Sequence, residues 1–215
     1  MTVRKILIAV PCFDMVHIDF ACSFINMEKP EGTEFMAIKN TLIYNARNNI
    51  AKQAVKDGYD YIMWLDSDMV FPPDVITRLL EDIDKGYDMV SGLYFERKES
   101  ARPVAFDEIV WNVLEGGDVE AGASFYFDYP KETLFPCDGF GFGCVLVSVN
   151  LINRIGEKYG LPFQPLYGLG EDLAFCWRAK QVGAKIACDS RIKCGHIGYK
   201  MFTEADYERK EENGK

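Results

Sequence analysis

Three short, mainly apolar runs constrain this chain most: Ile6 to Val10, Tyr59 to Leu65 and Met89 to Phe95. Each is too short for a buried helix and apolar on both faces. That is the pattern of a sheet strand covered on both sides, as in parallel sheets packed between helices. The segments between them have helical periodicity. Asn45 to Lys56 puts Ala46, Ile50, Ala51, Ala54 and Val55 on one face and stops at Gly58. Pro72-Pro73 opens a second helix through Leu79, Leu80 and Ile83, closed by Gly86. Proline at a helix start and glycine past its end follow from their backbone preferences. Phe35 to Ile38 reads as a further strand, Cys144 to Val149 as another, and Ala184 to Cys188 as the last. Helices are expected to begin at Leu151 and to run from Leu173 to Val182, ending at Gly183. Glu115 to Asp118 reads as a turn and residues 160 to 170, with their glycines and prolines, as a loop. Strands alternating with helices predict an α/β fold: one Rossmann-like domain over residues 1–203, with a mainly parallel mixed sheet flanked by helices. The charged tail, residues 204–215, is expected to fray.

A chain of 215 residues suits one domain with a full core. Its 33 acidic residues against 24 lysines and arginines give a net charge of −9, with no basic stripe. Nucleic acid is therefore not an expected partner. An acidic protein still holds an anionic small molecule when a metal ion stands between the charges. The 7 cysteines are odd in number and form no C-x-x-C pair, which argues against a disulfide framework or zinc ribbon. Cys12 and Cys176 fit reduced core thiols. No stretch approaches the roughly 18 apolar residues of a membrane span. The apolar run before Pro11 is too short for a signal-peptide core, so a cytoplasmic location is expected.

The chemistry concentrates in three places. The run Tyr61-Ile62-Met63-Trp64-Leu65 delivers Asp66-Ser67-Asp68 at its carboxyl end, where open α/β sheets bind ligands. Two carboxylates so spaced share a hard divalent cation and its phosphates. Asp82-Ile83-Asp84 has the same spacing inside an amphipathic helix, where it reads as a solvated face. Second, Gly168-Leu169-Gly170 leads into Glu171-Asp172, two acids opening a helix; capping accounts for one acid but not for the glycine-rich approach. Third, His196 lies between Gly195 and Ile197-Gly198, where an imidazole can join carboxylates around Mn²⁺. His17, the other histidine, reads as structural.

Together these motifs resemble the family 2 GT-A glycosyltransferases over roughly residues 4 to 200. Asn45-Ala46-Arg47-Asn48-Asn49 and Asp60 to Asp68 are similar to the donor half, residues 1–98 here. Gly170-Glu171-Asp172-Leu173-Ala174-Phe175-Cys176-Trp177-Arg178-Ala179, Gly183 and His196 are similar to the acceptor half, residues 99–203. The resemblance implies a single-domain GT-A fold and a nucleotide-sugar donor, with a UDP-sugar favoured, held at Pro11, Asp14, Arg47, Asp66 and Asp68. It implies Mn²⁺ or Mg²⁺ at Asp66, Asp68 and His196. It places a saccharide or other hydroxyl acceptor at Glu171, Asp172 and Trp177, with Asp172 as the base of an inverting transfer. Phe140, Phe142 and Tyr167 are further aromatics available to stack on a sugar. Where the family carries an acidic turn after its second strand, this chain reads Ile38-Lys39-Asn40-Thr41.

Two other readings are open. Asp66-Ser67-Asp68-Met69-Val70 fits the D-x-D-x-[TV] pattern of haloacid-dehalogenase-type phosphatases, with Asp66 as nucleophile. A sugar-binding protein without turnover would carry the same sites, although both acid pairs are intact.

Overall fold

The computed structural model describes residues 3–198 and 201–213. The first half follows the expected alternation: β1 (Ile6–Cys12), α1 (Ile18–Asn26), β2 (Thr33–Lys39), α2 (Ile43–Lys56), β3 (Tyr61–Leu65), β4 (Met69–Val70), α3 (Val75–Ile83) and β5 (Met89–Leu93). A half-exposed hairpin follows, β6 (Ala105–Val113) and β7 (Val119–Phe125), turning at the predicted Glu115 to Asp118. Then come β8 (Leu134–Pro136), β9 (Gly139–Phe140), β10 (Cys144–Ser148), α4 (Val149–Tyr159), α5 (Glu171–Gln181), β11 (Ile186–Lys193), β12 (Gly195–Ile197), β13 (Met201–Phe202) and α6 (Glu204–Asn213).

The main sheet has seven strands in the order β2-β1-β3-β10-β5-β11-β8. Strands β2, β1, β3, β5 and β11 run one way, while β10 and β8 run against them. This is the mainly parallel mixed sheet that the apolar runs predict. Alternate residues of each strand feed two cores. Leu7 and Ala9 of β1 with Ile62 and Trp64 of β3 face α2, α4 and α5, whose Ile50, Ile155 and Phe175 are fully buried. Ile6, Ile8 and Val10 with Met63 and Leu65 face α1 and α3, through Phe20, Val75, Ile76 and Leu79. Two smaller sheets, β7-β6-β9 and β13-β12-β4, stand outside this frame.

Four details differ from the sequence reading or refine it. Asp82 is not on a solvated face: it is 1% exposed and accepts from Lys85 Nζ (2.6 Å) and Arg191 Nη2 (3.2 Å), and only Asp84 faces water, paired with Arg4. The amphipathic period was right, but the facing strand β11 supplies a cation that makes a buried carboxylate tolerable. The tail forms α6 over its described length, and Tyr207 stacks on Phe95 at 5.3 Å while its hydroxyl donates to Phe127 O at 2.9 Å. The last two residues of that tail lie outside the described residues. His17 caps α1, its Nδ1 accepting from Asp19 N at 3.2 Å, which is a structural role. All seven cysteines are free; Cys176 is buried, whereas Cys12 is only half-buried. No helix among the described residues is long and apolar enough to cross a membrane.

Removing the Tyr207 ring strips an aromatic anchor from the core. Tyr207→Ala is expected to cost about 3 kcal/mol of unfolding free energy, measured by urea denaturation.

Candidate active site

The turn that ends β3 is held by the backbone. Asp66 N donates to Gly143 O (3.0 Å) and Met69 N donates to Asp66 O (3.2 Å). The chain passes straight into β4, which pairs antiparallel with β12 so that Met69 lies opposite His196. Ile197 N donates to Asp68 O at 2.8 Å. One small sheet thus fixes Asp68 beside His196, residues far apart in sequence. His196 Nδ1 lies 2.8 Å from Phe95 O, and since a carbonyl only accepts, that nitrogen carries the proton. The other nitrogen, Nε2, keeps its lone pair and lies 3.8 Å from Asp68 Oδ2. Burial lowers the His196 pKa and keeps the ring neutral, the form that ligates metals.

Arg47 on α2 is 2% exposed and sits beneath these acids. Its Nη2 donates to Asp66 Oδ1 at 2.9 Å, and its Nε lies 3.5 Å from Glu171 Oε1. Its guanidinium also lies over the Phe142 and Trp64 rings, 5.1 and 5.6 Å from their centroids. One buried cation therefore ties the carboxyl end of β3 to the first turn of α5. Burial raises Asp66 to about 6, against the pull of Arg47, while Asp68, Glu171 and Asp172 push the same way as burial. Burial also raises Glu171 and Asp172. Asp172 Oδ1 accepts from Leu173 N at 2.7 Å, and Gly170 leaves it room, since a Cβ there would stand 3.0 Å from Oδ1. Four carboxylates thus meet at the carboxyl end of the sheet.

A cleft of about 770 Å³ opens in front of Asp66, Ser67 and Asp68, walled by Pro11, Phe13, Asn40, Thr41 and Asn45. The expected donor residues divide here. Pro11, Asp66 and Asp68 line the cleft; Asp14 is exposed and does not; Arg47 lies behind it and reaches it through Asp66. On the acceptor side, Trp177 is half-buried, edge-on to Trp111 at 5.2 Å, and Trp111 Nε1 donates to Tyr167 O at 3.1 Å. Tyr167 is 78% exposed. Phe140 and Phe142 are 0% and 1% exposed, so they are core residues and not a surface for sugar stacking.

Two residues of the site are not marked by any sequence motif. Arg97 Nη1 donates to Asp68 Oδ2 at 2.6 Å. Tyr94 is buried edge-on to the His196 ring at 5.4 Å, and its hydroxyl accepts from Gly143 N at 3.2 Å. Both follow β5, whose carboxyl end points the same way as that of β3, and that placement is the signal that could have found them.

A family model described as glycosyl transferase family 2 matches residues 29–155, more than half of the chain. The chain belongs to glycosyl transferase family 2. It is a glycosyltransferase, and Asp66 needs no reading as a phosphatase nucleophile. The match covers Arg47, Asp66 and Asp68 and ends before Glu171, Asp172 and His196. Among solved structures, the A197 protein from STIV superposes with a TM-score of 0.65 at 16% identity, over 90% of this chain and 86% of that one. GalNAc-T7, solved with UDP, GalNAc and Mn²⁺, superposes with a TM-score of 0.59 at 11% identity, over 97% of this chain but 47% of that one. These two likenesses concern the fold. No curated protein sequence matches significantly.

Arg47 is a buried cation facing both Asp66 and Glu171, so its removal should affect stability as well as any donor contact. Arg47→Ala leaves Asp66 and Glu171 without a counter-charge. It is expected to cost about 3 kcal/mol of stability, read as a lowered urea midpoint without any donor present.

Proposed function

We propose that this glycosyltransferase moves a sugar from a nucleoside-diphosphate sugar to an acceptor hydroxyl, with inversion at the anomeric carbon. The observation that carries this reading is the meeting of Asp68, His196 and Asp66 on one side of Arg47 with Glu171 and Asp172 on the other. The donor lies in the 770 Å³ cleft, its diphosphate toward Asp66-Ser67-Asp68 and its base toward Pro11, Asn40 and Thr41. A uridine base suits a neutral polar wall, and GalNAc-T7, which shares the fold, was solved with UDP.

The residues fit a divalent cation. Asp68 offers a carboxylate and His196 an oriented, neutral nitrogen at 3.8 Å, with Asp66 adjoining. Among the described residues no group of three or more His, Cys, Asp or Glu side chains stands ready to enclose a metal. A cation there would need substrate phosphates to complete its shell, as is usual for Mg²⁺; the imidazole favours Mn²⁺, the ion present in GalNAc-T7. When bound, the cation would neutralise charge on the leaving diphosphate. Asp172 takes the proton from the acceptor hydroxyl as its oxygen bonds to the anomeric carbon. The bond from that carbon to the diphosphate breaks, and its electron pair leaves with the nucleoside diphosphate. Glu171, held by Arg47, orients the acceptor beside Asp172.

Three outcomes follow. UDP binding by calorimetry is expected with Mn²⁺ and lost in excess EDTA, and Asp68→Ala is expected to abolish it; equal binding in EDTA would overturn the metal assignment. Asp172→Asn is expected to keep UDP affinity and to lose at least about a hundredfold in turnover, the range for general-base removal. Because burial raises the Asp172 pKa and the base acts deprotonated, the acid limb of the wild-type pH–rate profile should lie above the ordinary aspartate range. A product with the donor's anomeric configuration retained, read by NMR, would remove Asp172 from the role of base.

A further inference from the structure

Arg97 and Arg47 both face the acids of the site, but they are held in opposite ways. Arg47 is 2% exposed and fixed by two carboxylates and two rings. Arg97 has a half-exposed side chain, one carboxylate partner among the described residues in Asp68 Oδ2 at 2.6 Å, and a long contact of 3.5 Å from the same nitrogen to Ile197 O. A single ion pair at the mouth of a cleft is weak and easily exchanged.

The loop that carries Arg97 is built to present it. Phe95 bridges to Pro103, Glu96 N donates to Arg102 O (2.9 Å), and Ala101 N donates to Lys98 O (2.8 Å). This tight excursion after β5 holds three basic residues. Glu96 accepts from Arg102 Nε (2.7 Å) and Nη2 (3.1 Å) and from Lys98 Nζ (3.4 Å), so two of them are answered locally. Arg97 alone reaches across to the site. The same Asp68 Oδ2 that it grips lies 3.8 Å from His196 Nε2. A cation held by Asp68 and His196 and the Arg97 guanidinium would therefore claim one oxygen atom.

We infer that Arg97 is an exchangeable counter-ion: it holds Asp68 in the free protein, yields it when a divalent cation binds, and then grips the diphosphate of the donor. A guanidinium released beside a diphosphate meets the planar, paired oxygens it binds best. This rests on the donor reading of the Asp66–Asp68 cleft, and it makes Arg97 a binding residue for the diphosphate and a competitor for the metal.

The two roles have opposite signs, so one variant tests both. Calorimetry is done with Mn²⁺ alone and with UDP at saturating Mn²⁺, on wild type, Arg97→Gln, Arg97→Lys and Lys98→Gln. Arg97→Gln is expected to bind Mn²⁺ about threefold more tightly, since a weak competing ion pair is gone. It should bind UDP about tenfold more weakly, since a charge-assisted hydrogen bond to phosphate is lost. Arg97→Lys, the folding control, should fall between Arg97→Gln and wild type in both constants. Lys98→Gln, on the same loop but paired to Glu96, should change neither. A structural role for Arg97 would weaken both ligands together, and that result, or no change in either, overturns the inference while leaving the donor reading standing. A wild type that binds neither Mn²⁺ nor UDP would sink the donor reading and this inference with it.

Discussion

A guanidinium buried among aromatic rings is expensive unless charge answers it, and in this protein everything around Arg47 serves to answer it. Asp66 arrives from the end of β3 and Glu171 from the start of α5, so the two halves of the domain meet through one side chain. Ion pairs of a buried cation add little net stability compared with an apolar core, but they punish any arrangement that leaves that cation alone. The cost is borne by the carboxylates, which burial pushes toward their protonated forms. Acids held this way are poised to gain from any added positive charge.

That poise explains the division of labour between the parts of the structure. The main sheet, filled on both faces by alternate residues of each strand, supplies rigidity. The turn after β3 and the loop after β5 bring Asp66, Asp68 and Arg97 together at the sheet's carboxyl end. The glycines of the Gly139 to Gly143 segment let these pieces approach. A Cβ at Gly141 would stand 2.2 Å from Tyr94 Oη and one at Gly143 would press on the same ring at 3.0 Å. Tyr94 in turn backs His196. The glycine-rich, aromatic segment is thus a packing surface behind the site.

The sequence made legible whatever depends on local pattern. The strands β1, β3 and β5 and the helices α2 and α3 were marked by apolar runs, periodicity and glycine or proline ends. Asp66 and Asp68 were marked by where their strand stops. What stayed hidden depends on non-local pairing. The antiparallel insertion of β10 between β3 and β5 was invisible, because a fully buried strand reads alike in either direction. Strands β4 and β12 are too short to show a period, although they bring Asp68 to His196. α1 was missed because Ile18 and Ile25 are exposed while Phe20 is buried, which blurs its amphipathic face. Asp82 was misjudged because its partner Arg191 comes from another element entirely. Arg97 gave no signal because its neighbours on the loop, Lys98 and Arg102, look the same until Glu96 is seen to occupy both.

The pairing of β4 with β12 also sets the order in which the site comes into being. Asp66 and Asp68 leave the ribosome early, embedded in a turn whose small sheet lacks its central strand. β12, carrying His196, is made after every strand of the main sheet. Contacts between such distant segments close slowly, because loop entropy must be overcome before they form. A partly synthesised chain can therefore fold much of its sheet and still lack His196 beside Asp68 until the rest of the domain is in place.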